Sequence, residues 1–510
     1  MFLPHRLISR QTLPKLFTRN QRYFKMELEP PVDRKMRDLD RAFFKKIVPV
    51  TAAQIEARRT GELLKAPVLR QHILDLPKIT NVVRTSDGEE GKRLLLLGAN
   101  SPDQLPSDAK EYLESKDAKL VSHSLELDYD YWTADQILRA VLPPELGEGS
   151  PTAFSINGHI AHMNLRDEYL PYRFLIGQVI LDKNKAIRTV VNKLDVIDTE
   201  FRFFKMEVLA GEPEFIIKHS ESNCTFTLDF STVYWNSRLA HEHERLVDLF
   251  LKHGNNPTAN DAPHQVPLIA DVFAGVGPFA VPAAKRGAIV YANDLNAEST
   301  KWMEVNVKNN KVVPRVRIST LDGRQFVKDV VQTAWASPFP ADAYTKPLSV
   351  KERRLKRSAA KSTPLPISAT STEASTDDRV ASDEHVVHES GPQPPPERNS
   401  RRIDHFVMNL PATAIEFLDA FRPAFASLQS QYREEVKEVY GIMPMVHVHC
   451  FTRELGEDKA RKDIIHRAEA ALGHAITENV VVHHVRKVAP NKDMYCLSFR
   501  LPSNFVDSQD

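Results

Sequence analysis

Short apolar runs separated by turn residues occupy the first part of the chain, a pattern that predicts short strands and helices. An apolar run predicts a strand at 93–97, and residues 39–70 contain apolar positions at helical spacing. That spacing is set by Phe43, Phe44, Ile47 and Val48. We therefore expect a small α/β module over residues 35–146.

Residues 150–238 follow with a pattern that predicts mostly β-structure. Two strands are expected on either side of a polar turn, and a second pair is expected further on. The expected strands are 177–181 and 186–191, with the turn at 182–185, and then 215–218 and 224–228. We expect this region to form a β-rich middle domain with one helix.

From residue 239 the apolar runs alternate with helical stretches, which favours a parallel sheet with crossover helices. The first four expected strands are 267–273, 288–293, 315–320 and 403–408. Three more are expected at 445–451, 480–488 and 494–501, the last two as an antiparallel hairpin at the sheet edge. The predicted fold class is α/β, with this domain spanning 239–502.

One segment interrupts the last domain. Residues 337–400 are rich in Ser, Thr, Pro, Ala and charged side chains. Such a composition buries too little apolar surface to offset the entropy lost on ordering. We expect a disordered insertion between the third and fourth strands of the sheet.

Length and composition favour a globular protein with more than one domain. A chain of 510 residues with 42% hydrophobic residues is expected to form two or three globular domains. It has no apolar stretch long enough to suggest a membrane span. Its three cysteines are too widely spaced for a disulfide framework or a zinc motif, so we predict no metal site. The formal net charge of +1 neither requires nor forbids a nucleic-acid partner.

The first 26 residues differ from the rest, because they contain six Lys and Arg and no acidic residue. A basic, acid-free and loosely amphipathic leader is typical of a mitochondrial presequence, and a disordered basic arm is the alternative. We expect import into the mitochondrial matrix. A second start at Met26 would give a cytoplasmic or nuclear form that lacks the leader.

A glycine-containing turn follows the first strand of the α/β domain, with the sequence DVFAGVGPF from Asp271 to Phe279. Gly275 and Gly277 would let the backbone approach a ligand at the carboxyl edge of the sheet, where open α/β sheets bind ligands. Asp294 ends the second strand and Asp322 follows the third. These two acids suit ribose hydroxyls and an adenine amino group respectively.

The cofactor is predicted to be S-adenosylmethionine. The G-x-G-x-x-G spacing of dinucleotide-binding enzymes is missing, since Ala280 occupies the third glycine position. An NAD enzyme and a turn with no ligand are the alternatives. The predicted cofactor-binding set is Asp271, Phe273, Gly275, Gly277, Asp294, Leu295, Asp322, Gly323, His243 and Asn409.

The fourth strand ends in Asn409-Leu410-Pro411, where amino-methyltransferases of this fold often have a related motif. Asn409 offers both an acceptor and donors that can orient a base nitrogen, and Pro411 fixes the local backbone. An ordinary turn at a strand end is the alternative interpretation.

In combination, seven segments resemble the archaeal and eukaryotic type of tRNA (guanine-37-N1)-methyltransferase. They are 157–165, 175–180, 201–211, 233–245, 271–279, 409–411 and 485–492. The resemblance runs from about residue 40 to 502 without the insertion. It implies a class I, Rossmann-like methyltransferase domain, preceded by a small tRNA-engaging domain and a middle domain at 150–238.

The same resemblance implies roles at the reacting base. The N1 proton of guanine must leave before N1 accepts a methyl group, and charge then builds on O6. The resemblance gives Glu242 the role of general base and Arg202 that of O6 donor, with Asn409 beside them. A carboxylate suits this role if partial desolvation raises its pKa; Glu244 is a weaker candidate.

Three further residues are expected to bind the substrate. Tyr234 is placed to stack on an extruded guanine, Arg238 to contact phosphate, and Pro411 to border the base. Simple packing or an ion pair would explain Tyr234 and Arg238 equally well. One chain could span an L-shaped tRNA, so a monomer is expected.

Three rival functions remain open from the sequence. An aminocarboxypropyl transferase of the wybutosine pathway uses the same fold and cofactor on the same loop of tRNA. A non-catalytic tRNA-binding protein would keep the fold without the chemistry. A protein or small-molecule methyltransferase would leave the N-terminal regions without a purpose.

Overall fold

The computed structural model describes residues 28–85, 89–147, 151–197, 204–253, 266–344 and 401–506. The predicted presequence at 1–26 lies outside these residues. The chain forms two compact units. The first extends to Ser155 and includes Ala161–Asn192 and Val208–Pro213, and the second comprises Ile156–Ile160, Lys193–Glu207 and the chain from Glu214 onward. The predicted division into three domains stays a prediction.

A four-stranded antiparallel sheet in the order β2-β3-β1-β4 forms much of the first unit. Its strands are β1 (Lys46–Glu56), β2 (Val82–Arg84), β3 (Lys92–Leu97) and β4 (Lys119–Leu127). The helices are α1 (Thr60–Lys65), α2 (Pro67–Arg70), α3 (Ser107–Glu114), α4 (Ala134–Val141) and α5 (Pro144–Gly147). The strand predicted at 93–97 is confirmed.

The helical interpretation of Ile47 and Val48 is wrong, because both residues lie on β1. Val48, Val50 and Ala52 pack into one apolar core, whereas Ala53 and Ile55 pack into another on the opposite face. Since both faces of this strand are buried, the two-residue alternation that identifies a strand is obscured in the sequence.

A second four-stranded sheet has the order β5-β6-β7-β8. Its strands are β5 (Ser155–Asn157), β6 (Ile160–Met163), β7 (Thr189–Ile197) and β8 (Phe204–Gly211), and α6 (Arg173–Lys183) precedes β7. The strand predicted at 177–181 is therefore wrong. The buried side chains of α6 include Leu175, Ile176, Val179 and Ile180. A helix that is buried on so broad a surface gives a nearly continuous apolar run in the sequence, which resembles the pattern of a buried strand. A Cβ on Gly177 would lie 2.5 Å from Leu209 Cβ, so glycine permits this close packing.

From Glu214 onward, the first regular structure of the second unit is an antiparallel hairpin of β9 (Ile216–Glu221) and β10 (Cys224–Asp229), as predicted. A seven-stranded sheet follows in the order β13-β12-β11-β14-β15-β17-β16. Its strands are β11 (Leu268–Asp271), β12 (Ile289–Asn293), β13 (Val316–Ser319), β14 (His405–Met408), β15 (Met445–Thr452), β16 (Val481–Ala489) and β17 (Lys492–Arg500).

The first five strands of that order are parallel, and β17 is antiparallel to β15. The hairpin of β16 and β17 leaves β16 at the edge, which confirms that prediction. The helices are α7 (Ala240–His253), α8 (Ala280–Lys285), α9 (Ala297–Asn309), α10 (Gly323–Ala336), α11 (Phe421–Val439) and α12 (Glu457–Leu472). Among the described residues, no helix is long and apolar enough to cross a bilayer.

The predicted insertion at 337–400 lies mostly outside the described residues, which exclude 345–400. Its first eight residues are described, and Phe339 and Ala343 among them are buried in the core of the domain. An insertion can therefore begin no earlier than residue 345.

Candidate active site

The glycine turn lies at the carboxyl end of β11. Gly275 and Gly277 both have positive φ, +55° and +93°, and a Cβ on Gly277 would lie 2.8 Å from Val281 Cγ2. The Gly275 amide donates to Asp294 Oδ2 at 2.8 Å, and the Asn296 amide donates to Asp294 Oδ1 at 2.9 Å. The structure thus brings the predicted turn and Asp294 together.

Asn293 joins three neighbouring strand ends, a role that the sequence did not reveal. Its buried amide donates to the carbonyls of Val272 and Leu321, and its Oδ1 accepts from Ser319 and from the Leu321 amide. Because one side chain holds the ends of β11, β12 and β13 together, the edge that would receive a ligand is rigid.

Several polar atoms at this edge have no hydrogen-bond partner within the described part of the chain. Neither Asp271 oxygen accepts a well-formed hydrogen bond, and Asn409 Oδ1 has none. Burial, followed by the nearby charge of Asp294, raises the pKa of Asp271 well above its usual value. Buried polar atoms are normally satisfied, so the unsatisfied atoms at this edge are suited to a polar ligand.

Phe273 and Gly323 form an apolar part of the same edge. A Cβ on Gly323 would lie 2.8 Å from Phe273 and 3.0 Å from Phe417, whose rings meet edge to face at 5.0 Å. Leu295 is largely exposed next to Asp294. Asp322 caps α10, because its carboxylate accepts from the amides of Arg324 and Gln325, so a structural role competes with the predicted adenine contact.

Glu242 lies in the first turn of α7 and is only 5% exposed. Arg245 binds its carboxylate with two hydrogen bonds, Nε to Oε2 at 2.6 Å and Nη2 to Oε1 at 2.7 Å. His449 Nε2 lies 2.8 Å from Oε1, and His483 Nε2 lies 3.7 Å from Oε2. A carboxylate with three nitrogen-bearing side chains around it is a strongly stabilised anion.

The electrostatics of Glu242 correct one expectation. Burial alone raises the pKa of Glu242, but the hydrogen bonds from Arg245 and His449 outweigh burial and lower it to about 2. Burial also lowers the pKa of His449, yet Cys496 and Glu242 prevail and raise it to about 9. The expectation that desolvation raises the pKa of Glu242 is therefore wrong for the protein without substrate.

Cys496 lies beside this pair, and its sulfur and the ligand atoms of Glu242 and His449 lie within 4.8 Å of one another. That spacing would admit a metal ion. The charge of Glu242 is already balanced by Arg245 and His449, however, so we assign no metal to the cluster.

Phe279 connects the glycine turn to the Glu242 cluster. Its ring meets His243 edge to face at 4.7 Å and lies 6.0 Å from the His449 ring. His243 Nδ1 in turn lies 2.6 Å from Glu221 Oε1 on β9, and both side chains are buried. The predicted base and the predicted cofactor turn therefore share one continuous set of contacts.

The remaining predicted residues flank this region or lie outside it. Tyr234 is 46% exposed and Arg238 is exposed, both in the segment before α7. The Pro411 carbonyl accepts from the Phe451 amide and so links the end of β14 to β15. Glu244 is exposed. Arg202 lies outside the described residues.

Comparisons with known proteins settle the family. Two family models match the chain, the TYW2 N-terminal domain over residues 134–214 and the TRM5/TYW2 methyltransferase domain over 217–336. A Coprinopsis cinerea protein named tRNA (guanine(37)-N(1))-methyltransferase is 45% identical, covering 94% of this chain and 97% of its own length. A Saccharomyces cerevisiae protein of the same name is 38% identical, covering 93% of this chain and 94% of its own length.

The chain belongs to the tRNA (guanine(37)-N(1))-methyltransferase family. Among solved structures, one titled the complex of aTrm5 and tRNALeu matches with a TM-score of 0.51 at 17% identity, covering 88% of this chain and 99% of that one. This likeness supports the fold alone. Membership confirms the predicted family, the class I methyltransferase fold, the enzyme class and S-adenosylmethionine as cofactor.

The residue of the Glu242 cluster that sequence reasoning missed most clearly is His449. It lies 207 positions from Glu242 along the chain, and only the fold brings the two together. The available signal was the alternation in β15, where His447 and His449 both face inward and are buried. Two buried histidines two positions apart indicate a polar row on one sheet face.

Proposed function

We propose that this enzyme transfers the methyl group of S-adenosylmethionine to N1 of the guanine at position 37 of tRNA, with Glu242 as the base. The observation that carries the proposal is the buried Glu242 carboxylate, which contacts the glycine turn through His449 and Phe279. S-adenosylmethionine supplies an electrophilic methyl group on a sulfonium. The protein must supply an acceptor for the N1 proton.

The two oxygens of Glu242 are not equivalent. Oε1 accepts from both Arg245 and His449, whereas Oε2 accepts from Arg245 and lies on the side of His483. We assign Oε2 as the atom that takes the guanine proton, because it retains more acceptor capacity. The resemblance gives Arg202 the role of stabilising O6, and that assignment remains part of the proposal.

The substrate-binding assignments follow from position and exposure. Tyr234 presents a half-exposed ring just before α7, suited to stack on a guanine that has left its base stack. Arg238 is exposed on the same segment and suits a phosphate. Asn409 Oδ1, which has no hydrogen-bond partner among the described residues, can accept from the base or from the cofactor.

An aminocarboxypropyl transferase is the second candidate, because it would use the same fold and the same cofactor on the same loop of tRNA. The names of the curated relatives favour methyl transfer. The two reactions add different groups to tRNA, so the mass of the modified nucleoside distinguishes them.

The test uses tRNA transcripts that differ only at position 37, with guanine or adenine. We expect S-adenosylmethionine-dependent formation of 1-methylguanosine in the first transcript and none in the second, detected by nucleoside mass spectrometry. A nucleoside that carries an aminocarboxypropyl group would transfer the assignment to the second candidate. Equal methylation of both transcripts would contradict the proposed target.

We further propose that the protein acts as a monomer in the mitochondrial matrix, with a second form that starts at Met26 in the cytoplasm or nucleus. The support is the basic, acid-free composition of residues 1–26 and the length of the chain, which we expect to let one copy span a tRNA. Tagging the chain with and without residues 1–25 in cells tests the location. Light scattering of the purified enzyme tests the oligomeric state.

A further inference from the structure

Three neighbouring strands carry a row of side chains next to Glu242, namely His449, Cys496 and His483. Residues His449 on β15 and Cys496 on β17 are paired in register, and Cys496 is also paired with His483 on β16. His449 is fully buried, whereas the His483 side chain is 42% exposed. The row therefore runs from the interior of the domain to solvent at the edge strand.

Glu242 is a poor final holder for a proton. Its carboxylate accepts two hydrogen bonds from Arg245 and lies 2.8 Å from His449 Nε2, contacts that favour the ionised form. A proton taken from guanine N1 must therefore leave Glu242 before the next turnover. Within the described residues, His449 faces Oε1 of Glu242. A proton on Oε2 must therefore leave through a different side chain.

His483 is the titratable side chain on the Oε2 side. Its Nε2 lies 3.7 Å from Glu242 Oε2, a separation that a small side-chain movement or one water molecule can bridge. Burial and then the charge of Arg245 lower the pKa of His483, as do His484 and His449, while Glu242 raises it. The net lowering keeps His483 neutral, and thus able to accept a proton, at neutral pH.

We propose that His483 takes the reaction's proton from Glu242 Oε2 and releases it to solvent. In this step the N1–H bond of guanine breaks and the N1–CH3 bond forms as the S–CH3 bond breaks. The proton moves to Oε2, then to His483 Nε2 and then to water, so the products are the methylated base, S-adenosylhomocysteine and one proton. The inference depends on the proposed role of Glu242.

The test is multiple-turnover methyl transfer to a guanine-37 transcript by the full-length enzyme, because a proton left on Glu242 blocks the next turnover. We expect His483→Ala and His483→Gln to be slower than wild type by about tenfold, a fraction of what a positioned acid or base contributes. Added imidazole is expected to restore the rate of His483→Ala, because a free base can replace the missing acceptor. A purely structural defect would not respond to imidazole.

The adjacent His484 provides the matched control. It is similarly exposed at 49%, lies on the other face of β16, and has Nε2 3.8 Å from Asp493. His484→Ala is expected to keep the wild-type rate and to ignore imidazole. The wild-type rate should fall as pH drops through the pKa of His483, below 6.5, and His483→Ala should lack that fall.

Two results would overturn the relay. A His483→Ala enzyme that is as fast as His484→Ala excludes it, and so does a slow one that imidazole never accelerates. Glu242→Gln, measured in parallel, separates this failure from a failure of the proposed function. A slow Glu242→Gln beside a normal His483→Ala removes only the relay, whereas a normal Glu242→Gln removes both assignments.

Discussion

Two buried carboxylates, Glu242 and Asp271, lie in opposite electrostatic surroundings within one domain. Glu242 is enclosed by Arg245 and His449, and its pKa is lowered to about 2. Asp271 ends β11 without a well-formed hydrogen bond to either oxygen among the described residues, and burial raises its pKa well above its usual value. Side chains donate to the first carboxylate, whereas the second is stabilised only in part, by the backbone amide of Phe273.

The difference indicates what each carboxylate is for. A carboxylate that is held by protein donors has a fixed position and is ionised at the start of each turnover, so it is ready to accept a proton. A buried carboxylate without partners is costly in the free protein and becomes favourable when a ligand donates to it. We therefore assign proton transfer to the Glu242 cluster and cofactor recognition to the edge that contains Asp271.

The largest expected effect is a loss of methyl-transfer rate when the Glu242 carboxylate is replaced. Glu242→Gln keeps the shape but removes the acceptor, so single-turnover methyl transfer should fall by roughly 10²- to 10⁴-fold. Glu244→Gln, an exposed position on the same helix, is the control and should keep the wild-type rate. If both variants react equally fast, Glu242 is not the base.

The second effect concerns stability and pH. Because the folded pKa of Glu242 lies below its usual 4.5, its contribution to the free energy of unfolding is present above pH 4.5. That contribution, about 3 kcal/mol, should be lost as pH falls from 4.5 toward 2. Urea unfolding of wild type and Glu242→Gln should therefore give curves that converge on acidification. A difference in unfolding free energy between wild type and Glu242→Gln that stays constant with pH would contradict the ion pairs of Glu242.

The third effect separates the two glycines of the cofactor turn. A Cβ on Gly277 would collide with Val281 at 2.8 Å, whereas a Cβ on Gly275 would meet no described atom within 4 Å other than those of its chain neighbours. Gly277→Ala should therefore lower the unfolding free energy by about 1–3 kcal/mol. Gly275→Ala should cost less stability and mainly weaken S-adenosylmethionine binding, because its Cβ enters the space left for the ligand. Calorimetry and thermal unfolding of both variants check this, and the reverse ranking would contradict it.

The smallest expected effect is a change in the stability of the cofactor-free protein when Asp271 is replaced. Because burial raises the folded pKa of Asp271 above its usual 3.8, the free energy of unfolding falls as pH rises from 3.8 to the folded pKa. Asp271→Asn should therefore stabilise the cofactor-free protein at neutral pH by on the order of 1 kcal/mol, while weakening cofactor binding. Destabilisation combined with unchanged cofactor affinity would show that Asp271 has a structural role only.

Sequence reasoning predicted the seven strands of the large sheet because each is a short apolar run between clear turn residues. The position of the glycine turn beside Asp294 was predictable for a related reason, since parallel strands end at one edge of a sheet. By contrast, β1 and α6 were misread, because burial on several sides removes the periodicity that distinguishes a strand from a helix.

The electrostatic state of the site could not be predicted from sequence. The pKa of Glu242 depends on His449, whose approach is fixed by the order and register of distant strands. The row of His449, Cys496 and His483 exists only because β17 lies between β15 and β16. Asp322 looked like a cofactor ligand, but its position before α10 also makes it a helix cap.

The most direct test of the account is a structure of the full chain with tRNA and S-adenosylhomocysteine. We expect guanine 37 to lie outside its base stack with N1 at about 3 Å from Glu242 Oε2, and the cofactor product to lie at the edge that contains Asp271 and Gly275. A guanine bound away from Glu242, or a cofactor product bound away from that edge, would contradict it.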